Sequence, residues 1–557
     1  MHRTWYLALT LASLTGCAGG RPAGPPAPTG ATTAAITPAD LRLRIGIFAD
    51  DSMEGRRAGS AGNVRGNAYI AGELRRLGVE PAGDAGSYFQ RVPLVRYAVD
   101  TARSTLQAGG GTLRVFRDYF PYQPTYDLPA RPVNGAGVVY IGAAADSAAR
   151  PSREALRGKV VVYRSHATPN SLDAPDLSPD GGLGLIAGIA ITQIDPLLEQ
   201  FTDYLRTPHL DLKRDSSPAA GSQPRMLLLP TAAIAKLFGK PLDALRPGDS
   251  AAALQGEVAL DPAELPATNV VGRIPGSDPA LRGQYVALGA HNDAIGIVSP
   301  VDHDSLRAYN TVMRPRGAND APGEPGPEQA ARIRGILDSL RRLRPARADS
   351  IVNGADDDGS GSMGLLEIAE AVARAEARPK RSLLFVWHSG EESGLQGSRW
   401  FTDHPTVARD SIVAQLNIDM IARGAAEDVP GGGPGYVEVI GSRRLSTELG
   451  NLADSLNTSG GFGLNFNYAY DADGHPDNYY CRSDHYMYAR YGIPVAFFST
   501  GSHRDYHQVS DEPEYLDYDK FATVTRYVAA LAGRVADLGH RLVVDRPKPD
   551  PKATCKQ

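Results

Sequence analysis

From about residue 265 onward the sequence keeps one rhythm: a short apolar run, a loop rich in carboxylates or histidine, then a helical pattern. The runs 286–288, 383–387, 412–418, 436–440 and 494–498 read as strands. Helices are expected near 360–377 and 518–537. The first would bury Met363, Leu365, Leu366, Ile368, Ala369 and Val372, with Ser360 or Ser362 placed to cap it. Alternation of β and α elements predicts a doubly wound α/β sheet, with chemistry beyond the C-terminal ends of its strands.

Ahead of this region the texture differs. Residues 40–94 read as helix, turn, helix, the second near 62–77 with Tyr69, Ile70, Leu74 and Leu77 on one face. Residues 131–262 read as β-rich, with short apolar runs at 137–141, 159–163, 185–191 and 226–229 and a helix near 231–237. At the N-terminus, His2 and Arg3 precede an apolar run that is too short to span a bilayer. It ends in Leu14-Thr15-Gly16-Cys17, which resembles the signal box of bacterial lipoproteins. That resemblance implies export, lipidation of Cys17 and anchoring to the cell envelope through several acyl chains. Ala18, not Asp, follows the cysteine, which favours the outer membrane. Residues 18–37 read as a flexible tether.

Composition narrows the chemistry. With 58 Lys+Arg against 63 Asp+Glu, the net charge of −5 is near neutral and excludes a polybasic nucleic-acid binder. Apolar residues at 42% are enough for real cores. Three cysteines cannot build a Cys₄ zinc site or a disulfide framework, so any metal must be held by His and carboxylates. Cys481 and Cys555 could pair in an oxidising compartment.

Those ligand types occur at the expected places. His291-Asn292-Asp293 follows the first strand, and Asp356-Asp357-Asp358 precedes the helix at 360. Glu391-Glu392 follows 383–387, Asp419 follows 412–418, and Tyr506-His507 precedes the last helix. Each alone has a plain structural explanation. Gathered at one sheet edge, the carboxylates would repel unless a cation sat among them. Imidazole with carboxylate is zinc chemistry, and five ligands with one bridging carboxylate suit two metals about 3.5–4 Å apart.

The segments 290–293, 354–361, 390–395, 417–420 and 505–507 resemble the co-catalytic di-zinc aminopeptidases, relatives of glutamate carboxypeptidase and the transferrin receptor. Glu54-Gly55-Arg56-Arg57-Ala58-Gly59-Ser60 and Arg482-Ser483-Asp484-His485 add to the likeness. The resemblance implies a three-layer αβα zinc-exopeptidase fold with a mixed, mostly parallel sheet. It also implies two Zn²⁺ ions and peptide substrates. The peptidase domain would be split between 38–130 and 263–540. Residues 131–262 resemble an inserted protease-associated domain, and 541–557 form a C-terminal tail. By the same resemblance Asp357 bridges the zincs, His291 and Asp419 complete one site, and Glu392 and His507 the other. Asp293 would orient His291, Glu391 would carry the proton from water to the leaving amine, and Tyr506 would donate to the oxyanion. Asp356 is the residue most easily confused with the bridge.

Other histidines carry weaker expectations. His388 reads as structural, His475, His485 and His503 as non-ligands, and His303 as a loop residue. Sixty-four positions separate Asp293 from Asp357, more than the family's short connection. The insert at 297–352, with a charged helical stretch at 328–344, must leave and re-enter at the rim of the site. A carboxypeptidase or dipeptidase would instead need a cationic clamp, for which Arg423 and Arg482 are candidates. A receptor-like binding protein and a one-zinc glutaminyl cyclase are further alternatives, and retention of every ligand and of the Glu base speaks against the receptor.

Overall fold

The computed structural model describes residues 32–557 apart from 110, 122–135, 144–145, 147–149, 157–158, 166, 169–170, 173–186, 193–204, 214–224 and 321–322. The lipidation signal at 1–17 and most of the tether lie outside the described residues.

Helix α1 (Pro38–Phe48) begins with Pro38 in its first turn and is capped by Thr37, whose side chain accepts from Asp40 N. Helix α2 (Ala61–Arg76) is capped by Ser60 in the same way. The short strands β1 (Glu80–Pro81) and β2 (Phe89–Val92) follow. After the β-rich insertion come β3 (Ala267–Ile274) and β4 (Tyr285–His291). An arm leaves and returns as β5 (Gly296–Asp302), α3 (His303–Met313), α4 (Pro327–Leu343) and β6 (Ala348–Val352). The later elements that frame the site are α5 (Gly361–Ala373), β7 (Ser382–His388), β8 (Ile412–Ile418), β9 (Tyr436–Ile440), β10 (Asn465–Asn467), β11 (Val495–Ser499) and α6 (Tyr518–Ala536), with further helices at Gln396–Asp403, Thr447–Ser459 and His485–Ala489.

The central sheet has the order β1-β3-β7-β4-β8-β11-β9-β10, with β2 also on β3. Its middle four strands, β7, β4, β8 and β11, are mutually parallel. Strands β3 and β9 run antiparallel to their inner neighbours. The expected mixed, mostly parallel sheet is therefore present. Both faces are covered, which explains why β7 is buried along its whole length, with an apolar run from Leu383 to Trp387 rather than an alternating one. Leu383, Phe385 and Trp387 enter the core under α1, α5 and α6, and Leu384 and Val386 enter the opposite core with Phe401 and Tyr488.

The inserted module has its own core and an eight-stranded sheet. Strands Thr105–Ala108 and Gly111–Arg114 belong to that sheet, ahead of the residue 131 expected to begin it. They are too short and polar to stand out from turns in the sequence. A three-stranded sheet of Leu94–Val99, His209–Leu212 and Leu260–Glu264 lies at the root of the module. Cys481 and Cys555 form a disulfide, which ties the C-terminal tail to the body.

Neither expected serine caps α5. The Ser360 hydroxyl donates to Asp356 O, and Ser362 to His291 O. Both serve the loops that carry the site. Among the described residues no helix is long and apolar enough to cross a membrane.

One charged cluster joins the helical layer. Arg44 of α1 is fully buried and pairs with Glu367 and Glu370 of α5 and with Glu73 of α2 (2.9 Å). Removing the cation would strand buried carboxylates, which costs more than the pair itself contributes. Arg44→Met is expected to destabilise the fold by about 3–5 kcal/mol, read as a lowered urea midpoint.

Candidate metal centre

Because the four inner strands are parallel, their C-terminal ends share one edge. His291 ends β4, Glu391 and Glu392 lie just past β7, Asp419 follows β8, and His507 lies in the loop after β11. Asp357 enters from the turn before α5. All five expected ligands meet there. His291 Nε2 is 3.1 Å from Asp357 Oδ1 and 3.7 Å from Asp419 Oδ1. His507 Nε2 is 3.1 Å from Asp357 Oδ2 and 2.9 Å from Glu392 Oε2. The two oxygens of Asp357 thus face different histidines.

The donors form two clusters, His291–Asp357–Asp419 and Asp357–Glu392–His507, each with its ligand atoms within 4.8 Å of one another. His291 Nε2, Asp419 Oδ1 and Glu392 Oε1 are buried and make no hydrogen bond. Buried polar atoms left this way are uncommon unless something else satisfies them. Two imidazoles and three carboxylates with orphaned atoms converging fit a pair of zinc ions sharing Asp357.

The neighbours of Asp357 are occupied otherwise. Asp356 Oδ1 accepts from Ala422 N (2.8 Å). Asp358 accepts from the backbone N–H groups of His291 (2.9 Å), Gly361 (2.9 Å) and Met420 (3.2 Å), tying three loops together. The middle residue of the Asp run is the one free to face both histidines.

Asp293 stands beside His291, whose Nδ1 lies 3.1 Å from the Asp293 backbone oxygen and 3.6 Å from its carboxylate Oδ1. Its carboxylate Oδ1 accepts from Gly390 N (2.8 Å) and Glu391 N (3.2 Å). One residue orients the histidine through its main chain and the Glu391 loop through its side chain. Glu391 Oε2 is 3.9 Å from His291 Nε2.

Charge explains the protonation pattern. Burial pushes the Glu391 carboxyl well up, and Asp419 and Glu392 add to this. Burial likewise raises Glu392 to about 6. Burial also works against charge on Asp357 and His507, but their mutual contacts prevail. Asp357 is held well below the usual carboxylate range by His291 and His507, and His507 is raised to about 10 by Glu392 and Asp357. Arg56 supplies a fixed cation behind the site. It is fully buried and donates to Phe48 O (2.9 Å), Asn353 O (2.7 Å) and Gly354 O (2.9 Å), anchoring the turn before Asp357.

Tyr506 stacks on the His507 ring, with centroids 3.7 Å apart. Burial pushes its hydroxyl well above the usual range, so it remains a proton donor. Tyr506 lines a pocket with Asp357, Glu391 and Asp419.

Several supports escaped the sequence reading. Ser483 Oγ donates to Asp419 Oδ2 (2.8 Å). Asp511 accepts from Asp356 N (3.0 Å) and Asp357 N (3.1 Å), across more than 150 residues. Ser483 lay within a segment that carried the family likeness, whereas nothing local marks Asp511. His388 is buried between Tyr488 and Asp484, as expected of a structural residue. His485 stacks on Phe497 and His503 faces Asp356, neither at a ligand position. His303 is not a loop residue. It opens α3, fully buried, beside Arg347 and Asp304. The aspartates on either side of it pair with Arg341 and Arg344.

The arm packs on the loop that carries His507. Asn310 Nδ2 donates to Asp505 Oδ1 (3.2 Å) and Gln508 Oε1 (2.6 Å), and Ala318 N to Ser502 O (2.9 Å).

The arrangement offers two adjoining donor clusters that could each hold a metal ion, with the Glu391 carboxylate beside them. Residues 269–532 match the model of Peptidase family M28. A stretch of 157 residues is 32% identical to Leupeptin-inactivating enzyme 1 of Streptomyces exfoliatus, covering 28% of this chain and 31% of that one. Another of 211 residues is 27% identical to Aminopeptidase Y of Saccharomyces cerevisiae, covering 34% and 35%. The chain thus spans about a third of the length of these relatives. The solved aminopeptidase from Aneurinibacillus sp. strain AM-1 superimposes on 92% of this chain and 97% of its own, with a TM-score of 0.52 at 16% identity. That likeness establishes a shared fold.

Ser483→Ala removes the donor that orients Asp419. Loss of such an outer partner is expected to weaken metal affinity by about 10–100-fold, measured by competition with a chromogenic zinc chelator.

Proposed function

We propose that this protein is a zinc-dependent exopeptidase that releases N-terminal residues from peptides. The observation that carries this is Asp357, shared between His291–Asp419 on one side and His507–Glu392 on the other, with Glu391 alongside. Zinc bound there polarises a carbonyl oxygen and lowers the pKa of water. Glu391 is the general base. Its loop is held by Asp293, and its raised proton affinity suits a group that takes a proton from water and returns it to the leaving amine. Tyr506, kept protonated by burial, donates to the oxygen on which charge develops. The names of the relatives, Aminopeptidase Y and several fungal Leucine aminopeptidase 1 proteins, agree with this reading.

A carboxypeptidase would need a free cation for the substrate carboxylate. Arg423 is engaged by Asp428 (2.8 Å) and Asp505 (3.1 Å) and does not serve. Arg482 lines the pocket, which keeps this second reading testable.

The same proposal places the enzyme outside the cytoplasm, anchored to the bacterial envelope through a lipid on Cys17. The Cys481–Cys555 disulfide supports an oxidising compartment. The inserted module is proposed to be a protease-associated domain, and the arm a wall that steadies the His507 loop.

Glu391→Gln is expected to lower kcat by about 10²–10⁴-fold with metal content retained. N-acetylation of the peptide is expected to abolish cleavage. Both are read by mass spectrometry of digests with and without chelator, and equal cleavage of acetylated peptide would favour the carboxypeptidase.

A further inference from the structure

The pocket beside the metal ligands has an acidic end that the proposed mechanism does not use. Glu438, midway along β9, is 2% exposed and lines the same pocket as Asp357, Glu391 and Tyr506. Its Oε1 accepts from Tyr436 OH (2.8 Å), and that hydroxyl is in turn fixed by Asn467 Nδ2 (2.9 Å). Among the described residues Glu438 forms no ion pair with any Lys or Arg. Arg482, also on the wall, donates to Asp477 O (3.3 Å) and faces the Tyr479 ring (5.1 Å). A Cβ at position 501 would stand 2.7 Å from Glu438 Oε1, so Gly501 leaves this carboxylate uncovered. Met420, Phe497 and Tyr479 also line this pocket.

A buried carboxylate with no cation beside it is costly in its charged form, and a cation brought alongside would hold it charged. Burial raises the Glu438 carboxyl to about 7. The strand ladder gives the scale. Glu438 lies opposite Ser499 of β11, and Phe498 lies opposite Ile418 of β8, next to Asp419. Two strand spacings separate β9 from β8, roughly 9–10 Å. The α-amino group of a substrate adjoins the scissile bond and must stay near Asp357, out of reach of Glu438. An ammonium on a four-carbon stem spans such a gap, its methylenes against apolar walls.

We infer that this pocket selects a cationic side chain, lysine or arginine, on the residue being released, with Glu438 as its counter-ion. The inference rests on the aminopeptidase reading and deepens it.

The test compares kcat/KM for Lys-, Arg-, Leu- and Met-p-nitroanilide on the wild-type enzyme and on Glu438→Gln. The wild type is expected to prefer Lys and Arg over Leu and Met by at least tenfold, and the Lys-to-Leu ratio to fall at least tenfold in the variant. Should the variant fold poorly, inhibition of the wild type by L-lysinamide and L-norleucinamide isolates the ammonium, and the former is expected to bind at least tenfold tighter. Leu or Met turned over as well as Lys, or the two amides binding equally, would overturn the inference while leaving the aminopeptidase reading intact. No turnover of any of the four substrates would overturn both.

Discussion

Asp357 is a carboxylate that must face two ways at once, and much of the surrounding structure keeps it there. Its oxygens lie 3.1 Å from His291 and 3.1 Å from His507. Asp358 and Asp511 hold the backbone on either side of it, and Arg56 holds the turn before it. Each of these supports is itself buried, so each needed its own hydrogen bonds before it could be placed. Arg56, Arg423 and Arg482 join the two imidazoles in facing the negative charge concentrated here. Burial nevertheless raises the proton affinity of Glu391 and Glu392. Divalent cations would meet the same demand and release those carboxylates for ligation and proton transfer.

Parallel pairing of β7, β4, β8 and β11 makes that crowding geometrically unavoidable. It gathers residues from positions 291 to 507 along one edge while leaving both sheet faces for apolar packing. The arm between β4 and α5 then uses the same edge. Its Asn310 reaches the loop of His507, so a segment with no ligand of its own helps to set where a ligand stands.

The strands, the long helices and the ligands were legible because each is written locally. An apolar run of β length followed by His or Asp needs no distant partner to be recognised. The limits were equally physical. Ser360 and Ser362 looked like caps because their spacing to α5 was right, yet the site loops claimed both hydroxyls. His303 reads as a loop residue because it lies in the insert that departs from the family pattern, whereas it opens a helix whose flanking aspartates pair with arginines 37 to 40 residues later. Asp511 carried no local mark because its partners are remote in the chain. Tertiary partners, unlike periodicity, leave no trace at the position they serve.

The central claim is that Asp357 is the shared ligand of two zinc ions. Anomalous diffraction at the zinc edge, from crystals of the zinc-loaded protein, tests it directly. The account predicts two peaks flanking Asp357, one against His291 and Asp419 and the other against Glu392 and His507. A single peak, or two peaks bridged by Asp356 or Asp358, would contradict it.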